Sequence, residues 1–147
     1  MKWTIDHTDF KSIQIIYNQM FKDFSNKHAL NLIQKGAILL DIRTREEFCQ
    51  GHIEGATLIP TPSPPLNERE SGILRDQLWW TLSQKTQSKK TSIVVYCRKG
   101  VRASLAKKII QDLGYPNVVA WGGVDEPPMK MLFDKGIMVC QCNPIDE

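Results

Sequence analysis

The stretch from Ser92 to Trp121 carries the pattern that most restricts the fold of this chain. It begins with the apolar run "SIVVY", continues through a helical pattern that starts at about Arg102 or Ala103 and stops before Gly114, and closes with "VVAW". A strand, a helix and a strand in this order form a βαβ unit, whose two strands lie parallel in one sheet. We therefore expect an α/β fold, with helices on both faces of a parallel sheet.

Other segments extend this unit to a sheet of about five strands. The runs "AILLDI" and "ATLIP" are typical of short strands, and a last short strand is predicted from Ile137 to Val139. Helices are predicted between these strands. They run from Ser25 or Asn26 to Gly36, over one or two turns in "TREEFCQG", from Ile73 to Leu82, and from a first turn holding Pro127 and Pro128 to Gly136. Thr44 and Glu47 have the spacing of a capping box at the start of the short second helix.

The first residues indicate an added helix rather than part of the sheet domain. Residues 9–24 place six apolar side chains on one helical face: Ile13, Ile16, Tyr17, Met20, Phe21 and Phe24. We divide the chain into an N-terminal helical extension, residues 1–24, and one domain, residues 25–147. The proline-rich stretch "TPSPPLNERESG" is interpreted as a rigid connector within that domain.

The composition of the chain restricts the cellular compartment and the binding partners that we expect. The 147 residues suit one domain, with a hydrophobic fraction of 41% and a net charge of +3, too small to indicate nucleic-acid binding. The start "MKWTIDHTDF" lacks the apolar core of a secretory signal, and no run is long enough to span a membrane, so a cytoplasmic location is expected. In such a reducing compartment the four cysteines would remain mostly thiols.

Three of the four cysteines are expected to have no chemical role. Cys49 is predicted to pack in its short helix, and Cys140 and Cys142 to lie incidentally in a tail. These two tail cysteines could also act in relay with another cysteine or bind a metal, but two thiols alone do not complete a tetrahedral site. The sequence therefore predicts no metal site and no cofactor.

Cys97 stands where the strand of the βαβ unit ends and its helix begins. Ligands of parallel α/β sheets bind beyond the carboxyl ends of the strands, which is the position of this cysteine. The backbone N–H groups of the following loop and helix can point at its sulfur, and Arg98, Lys99 and Arg102 add positive charge. Both effects favour the thiolate, so Cys97 is predicted to be a nucleophile. Gly100 is expected to let the backbone turn closely around the sulfur, since it has no Cβ atom. A merely packed cysteine would leave these three cations unexplained.

Two separated motifs, "DIRTREEFCQGHIEGATLIP" and "CRKGVRAS", resemble those of the rhodanese domain, a single-domain sulfurtransferase. The resemblance runs from about Ser25 to Val139 and implies the rhodanese-like three-layer fold. It also implies that Cys97 carries sulfur as a persulfide. The residues that the resemblance assigns to substrate binding are Arg98, Lys99, Gly100, Val101 and Arg102.

The activity that the resemblance implies is transfer of sulfane sulfur in two displacements. The Cys97 thiolate attacks the outer sulfur of thiosulfate, sulfite leaves, and cyanide or a thiol then removes the sulfur. The basic loop resembles that of thiosulfate-specific members more than that of mercaptopyruvate-specific members. The implied partners are therefore a small anionic sulfur donor and a thiol or protein acceptor.

Asp41, Arg43 and His52 lie in the first motif and are candidates for supporting roles. Asp41 could hold the loop after Cys97 by hydrogen bonds, although a structural ion pair is the favoured interpretation. Arg43 is expected to pair with acids or to assist substrate binding. His52 is predicted to fix a turn by a hydrogen bond rather than to act as a base.

Two other classes of function compete with a sulfurtransferase. A sulfur carrier or partner-binding module without turnover would use the proline-rich insert and the first helix as a docking surface. Cysteine phosphatases and arsenate reductases use a related loop, but theirs spans seven residues from cysteine to arginine, whereas Cys97 to Arg102 spans six. The shorter loop suits one sulfur atom better than a tetrahedral phosphate.

Overall fold

The computed structural model describes residues 24–126 and 129–142, and for residues 24–27 it describes the backbone alone. Nearly all of the predicted first helix, and the predicted first turn at Pro127 and Pro128, lie outside the described residues. In chain order the elements are α1 (Phe24–Gln34), β1 (Ile38–Asp41), α2 (Arg45–Gln50), β2 (His52–Ile53), β3 (Thr57–Leu58), α3 (Glu68–Lys85), β4 (Ile93–Cys97), α4 (Val101–Asp112), β5 (Val118–Gly123), α5 (Met129–Lys135) and β6 (Val139–Cys140).

The main sheet is parallel and has the strand order β3-β1-β4-β5. Among residues 24–126 and 129–142 it contains four strands rather than the predicted five or so. β4 is central, and it pairs with β1 through Leu40 and Val95 and with β5 through Val95 and Ala120. The predicted βαβ unit is therefore confirmed, and it places Cys97 at the carboxyl end of a central strand.

Helices cover both faces of this sheet, which confirms the predicted fold class. One face packs against α3 and α4, whose buried side chains include Leu78 and Ala106. The opposite face packs against α1 and α5, represented by Leu30 and Leu132. Alternate strand residues point to opposite sides, as strand geometry requires. Val95 accordingly belongs to the first core, and its neighbours Val94 and Tyr96 belong to the second.

The last strand differs from its prediction in position and in partner. β6 begins only at Val139, and it pairs antiparallel with β2 in a separate two-stranded sheet, with His52 opposite Cys140. The backbone turns between α5 and β6, with positive φ angles of 66° at Gly136 and 60° at Met138. This turn directs the chain across α2 and β2 instead of along the main sheet.

Two capping boxes fix the starts of α2 and α3. Thr44 and Glu47 form the predicted capping box of α2. Asn67 and Glu70 form a second one, which starts α3 five residues before the predicted Ile73. The sequence carries this signal as an Asn followed three residues later by Glu, so the longer helix follows an ordinary rule.

A disulfide joins Cys49 to Cys142, whose Cα atoms are 4.5 Å apart. This corrects three expectations: that Cys49 only packs, that Cys142 is incidental, and that all four cysteines remain thiols. The two residues are 93 positions apart, so only the pairing of β6 with β2 brings them together. Cys97 and Cys140 are free thiols.

Candidate functional site

The sulfur of Cys97 lies at the start of α4, where it takes the place of a helix cap. The residue is 1% exposed, and its Sγ accepts hydrogen bonds from the backbone N–H groups of Gly100 at 3.0 Å and Ala103 at 3.3 Å. Ala103 is the third residue of the helix, whose N–H an N-cap side chain usually satisfies. The cap residue Gly100 has no side chain to do so. The sulfur therefore receives the donors and the positive end of the helix dipole.

Gly100 permits the tight turn between Cys97 and α4. Its φ angle is 93°, in the left-handed region that other residues adopt only with strain. The following residue, Val101, already belongs to the helix. The predicted role of this glycine, a close turn of the backbone, agrees with the structure.

A second segment, residues 122–125, holds the loop after Cys97 from the side of β5. The N–H of Val124 donates to the carbonyl of Cys97 at 2.9 Å, and the N–H of Asp125 donates to the carbonyl of Arg98 at 3.0 Å. Gly123 lies so close that a Cβ atom there would overlap the Arg98 carbonyl. Sequence reasoning assigned no site role to this segment, although the Gly-Gly pair after "VVAW" was a visible signal.

The three cations near Cys97 have different surroundings. The Arg98 side chain is 58% exposed, and its Nε donates to the Asp125 carboxylate at 2.9 Å. Lys99 is exposed. Arg102 is buried, and its Nη1 donates to Glu47 at 2.9 Å and to the carbonyl of Thr61 at 3.3 Å. Arg102 thus supports the loop from behind, and its contact with substrate stays a prediction.

Glu47 holds Arg102 from α2 and is strongly acidic. Burial alone would raise the pKa of Glu47, but hydrogen bonds from Arg102 and Thr44 overcome this effect and lower the pKa to about 2. The carboxylate is therefore charged throughout the neutral range. Sequence reasoning identified Glu47 as a capping residue only, because its partner lies 55 positions away.

Asp41 and Arg43 form a buried ion pair. Arg43 donates to the carboxylate through Nε at 2.9 Å and Nη2 at 2.7 Å, and Nη2 also reaches the carbonyl of Gly51 at 2.6 Å. Burial lowers the pKa of Arg43, but the hydrogen bond and charge of Asp41 outweigh it and the pKa is raised. The carboxylate of Asp41 engages Arg43 and Tyr96 rather than the loop after Cys97. The pair therefore matches the favoured interpretation of a structural ion pair.

Tyr96 and His52 secure the start of β2. The Tyr96 hydroxyl accepts the N–H of Ile53 at 2.9 Å, and burial raises the pKa of Tyr96 well above its usual value, so it stays neutral. The His52 Nδ1 lies 2.9 Å from the carbonyl of Phe48, and the two rings stack with centroids 3.6 Å apart. Burial lowers the pKa of His52. The predicted hydrogen-bonded histidine is confirmed.

A small cavity of about 190 Å³ opens beside the Arg98–Asp125 pair. Its lining holds four charged residues, Arg43, Glu47, Arg98 and Asp125, together with Gln50, Gly51, Val124 and Phe133. This volume is below the usual range for drug-sized ligands and suits a small ion. In the described ranges, no group of three or more His, Cys, Asp or Glu side chains is arranged to hold a metal ion.

The fold and this loop define a class of α/β proteins that carry a cysteine, held by backbone donors, after a central strand. The model of the rhodanese-like domain matches residues 25–125, and the chain belongs to that family. No helix among residues 24–126 and 129–142 has the length and apolar character that a bilayer-spanning segment needs.

Relatives of the chain include proteins named for sulfur transfer. Thiosulfate sulfurtransferase 18 of Arabidopsis thaliana is 30% identical over 95 residues, which cover 65% of this chain and 68% of the relative. Thiosulfate sulfurtransferase PspE of Escherichia coli is 29% identical over 90 residues, covering 61% and 73%. The structure of the human single-domain sulfurtransferase TSTD1 is similar, with a TM-score of 0.50 and 25% identity, covering 66% of this chain and 85% of that one. These similarities support sulfur transfer as the general activity of the chain.

Replacing Glu47 with Gln should destabilise the protein by about 1–3 kcal/mol at pH 7, because buried Arg102 loses its charged partner. Since the pKa of Glu47 is lowered to about 2, this contribution is present above about pH 4.5 and is lost as the pH falls toward 2. Denaturant unfolding of both proteins over this range measures the difference. Glu46→Gln, an exposed neighbour in α2, is the control and should change little. Equal stabilities of wild type and Glu47→Gln at pH 7 would contradict the assignment.

Replacing Gly123 with Ala should cost about 1–3 kcal/mol of unfolding free energy, because the added methyl group displaces the Arg98 carbonyl. Gly72→Ala is the matched control, since a Cβ at Gly72 meets nothing within 4 Å. Gly72 lies inside α3, where alanine should be neutral or stabilising by up to about 1 kcal/mol. Denaturant unfolding checks both variants, and the same sign of change in both would refute the close-approach argument.

Proposed function

We propose that this protein is a thiosulfate sulfurtransferase, which moves sulfane sulfur from thiosulfate to cyanide or a thiol through a persulfide on Cys97. The observation that carries the proposal is the pair of backbone N–H groups, from Gly100 and Ala103, at the Cys97 sulfur. A thiolate and a persulfide are both anionic, so the same fixed donors stabilise the attacking group and the intermediate.

In the first displacement, the Cys97 thiolate attacks the outer sulfur of thiosulfate. A bond forms between the two sulfur atoms, the bond to the sulfonate sulfur breaks, and sulfite leaves with that electron pair. The monoanionic thiolate and dianionic thiosulfate thereby give a monoanionic persulfide and dianionic sulfite. No proton has to move, which agrees with the structural rather than catalytic placement of His52.

In the second displacement, an acceptor attacks the outer sulfur of the persulfide. Cyanide takes this sulfur as thiocyanate, and the Cys97 thiolate is regenerated with the electron pair of the broken S–S bond. A thiolate acceptor gives a small persulfide in the same way. The covalent intermediate predicts ping-pong kinetics.

Arg98 and Lys99 are the groups we assign to attraction of the donor. Both are exposed at the loop that surrounds the sulfur. Arg102 is buried against Glu47 and acts by positioning the loop. A dianionic donor therefore approaches a loop with two exposed cations, of which Arg98 also pairs with Asp125.

A sulfur carrier that serves one protein partner is the second candidate. α3 exposes three large apolar side chains, Ile73, Trp79 and Trp80, directly after the proline-rich connector. An exposed apolar surface of this kind favours a contact with another protein. Slow release of sulfur to cyanide, combined with fast release to a single protein thiol, would favour this candidate over the enzyme.

We also propose that the protein is located in the cytoplasm. In the cytosol, small thiols keep most disulfides reduced. The Cys49–Cys142 pair would therefore be mostly reduced there, with an oxidised fraction set by exchange with the disulfide form of those small thiols. Its oxidation state in freshly lysed cells tests the location.

Treatment with thiosulfate should add one sulfur atom to the intact protein and release sulfite, and cyanide should then remove that sulfur as thiocyanate. Intact-mass measurement and sulfite detection follow both steps. Cys97→Ser should abolish them, whereas Cys140→Ser, which removes the other free thiol, should not. Uptake of sulfur by Cys97→Ser, or no uptake by the wild type, would refute the mechanism. Uptake of sulfur from mercaptopyruvate but not from thiosulfate would refute thiosulfate as the donor.

Replacing Arg98 or Lys99 with Ala should lower kcat/KM for thiosulfate by about fivefold each, because one exposed charge near a dianion contributes roughly 1 kcal/mol. The loss should appear in KM and shrink as salt is added. Lys108→Ala, an exposed lysine further along α4, is the matched control and should keep the wild-type value. Steady-state rates at two salt concentrations measure these changes in kcat/KM. If Arg98→Ala and Lys99→Ala lose no more kcat/KM than the control, these residues do not bind the donor.

A further inference from the structure

The Cys49–Cys142 disulfide lines an open cavity of about 510 Å³, which shares only Gln50 with the lining of the smaller cavity near Arg98. This volume falls within the range that small-molecule ligands occupy. The lining consists of both half-cystines, one cation, one anion and two amides: Arg45, Glu46, Cys49, Gln50, Gln141 and Cys142.

Both half-cystines are within reach of a small reagent in the folded protein. Cys49 lies on α2 and Cys142 just after β6, and each is half-buried rather than enclosed. Disulfides that a thiolate can approach are the labile ones, whereas enclosed disulfides resist exchange. Opening this disulfide therefore does not require the domain to unfold.

We propose that Cys49–Cys142 is a thiol-exchange site, distinct from Cys97, for a low-molecular-weight peptide thiol bound in this cavity. The thiolate of the ligand attacks one protein sulfur, the S–S bond breaks, and the other cysteine leaves as a thiolate. A second ligand thiolate then attacks the ligand sulfur of the mixed disulfide. The products are two protein thiolates and the disulfide of the ligand, so the protein pair is reduced as two ligand thiols are oxidised.

The lining favours a ligand that carries both charges and amide groups. Arg45 and Glu46 offer opposite charges, and Gln50 and Gln141 add amide groups to the same lining. The Gln141 amide already donates to the Gln50 carbonyl at 3.3 Å, which fixes the tail against α2. A zwitterionic peptide thiol matches this lining better than a neutral thiol. The inference does not depend on the proposed sulfur transfer.

The test uses the full chain carrying Cys97→Ser and Cys140→Ser, so that every thiol observed comes from the pair. The oxidised protein is incubated with reduced glutathione in graded glutathione redox buffers, and the products are trapped by alkylation and identified by intact mass. We expect a mixed disulfide and then a dithiol, with circular dichroism showing that the protein stays folded. A pair that opens only after denaturant is added, or one that never oxidises, would overturn the proposal.

A second arm tests the cavity as a binding site. At equal thiolate concentration, glutathione should open the pair about fivefold faster than 2-mercaptoethanol, because only the peptide thiol can use the opposite charges of the lining. Arg45→Ala should remove most of this advantage, while Arg75→Ala, an exposed arginine on α3, should retain it. Equal rates for the two thiols in the parent variant would overturn the ligand class.

Discussion

The site depends on the hydrogen bonds that two backbone N–H groups donate to the sulfur of Cys97. These donors come from the cap and the third residue of α4, so one set of hydrogen bonds both starts the helix and surrounds the thiol. Cys97 ends the central strand β4, which pairs with β1 on one side and with β5 on the other. This pairing fixes the position of the Cys97 sulfur. The chemistry of the loop therefore relies on a strand that is paired on both sides.

The loop itself is held from two further directions. Residues 122–125 bind its first carbonyls, and the absence of a side chain at Gly123 allows this contact. Glu47 of α2 binds Arg102 on the other side, in a buried ion pair. The Asp41–Arg43 pair then fixes the carbonyl of Gly51 at the end of α2. Three segments, at residues 41–43, 47–51 and 122–125, thus keep one short loop in place.

Elements that depend on neighbouring residues could be predicted from the sequence. The capping box of Thr44 and Glu47 and the turn at Gly100 each arise within a few residues, the βαβ unit arises within one continuous stretch, Ile93 to Gly123, and the structure contains all three. α3 was predicted too short because apolar spacing begins at Ile73, whereas the helix starts with the polar cap at Asn67. β6 was predicted in the wrong place, because its partner is β2 rather than a neighbour in sequence.

The cysteines show which features of the protein the sequence determines and which depend on its tertiary structure. The sequence alone determined that Cys97 begins a six-residue loop with a glycine inside it, because strand end, turn and helix start are consecutive. Only the tertiary structure decided that Arg102 is turned inward to Glu47 while Arg98 stays exposed, and that Cys49 meets Cys142. These contacts join residues 55 and 93 positions apart, and no local spacing encodes a pairing over such distances. The physical reason is that local hydrogen bonds follow chain geometry, whereas ion pairs and disulfides follow the packing of whole elements.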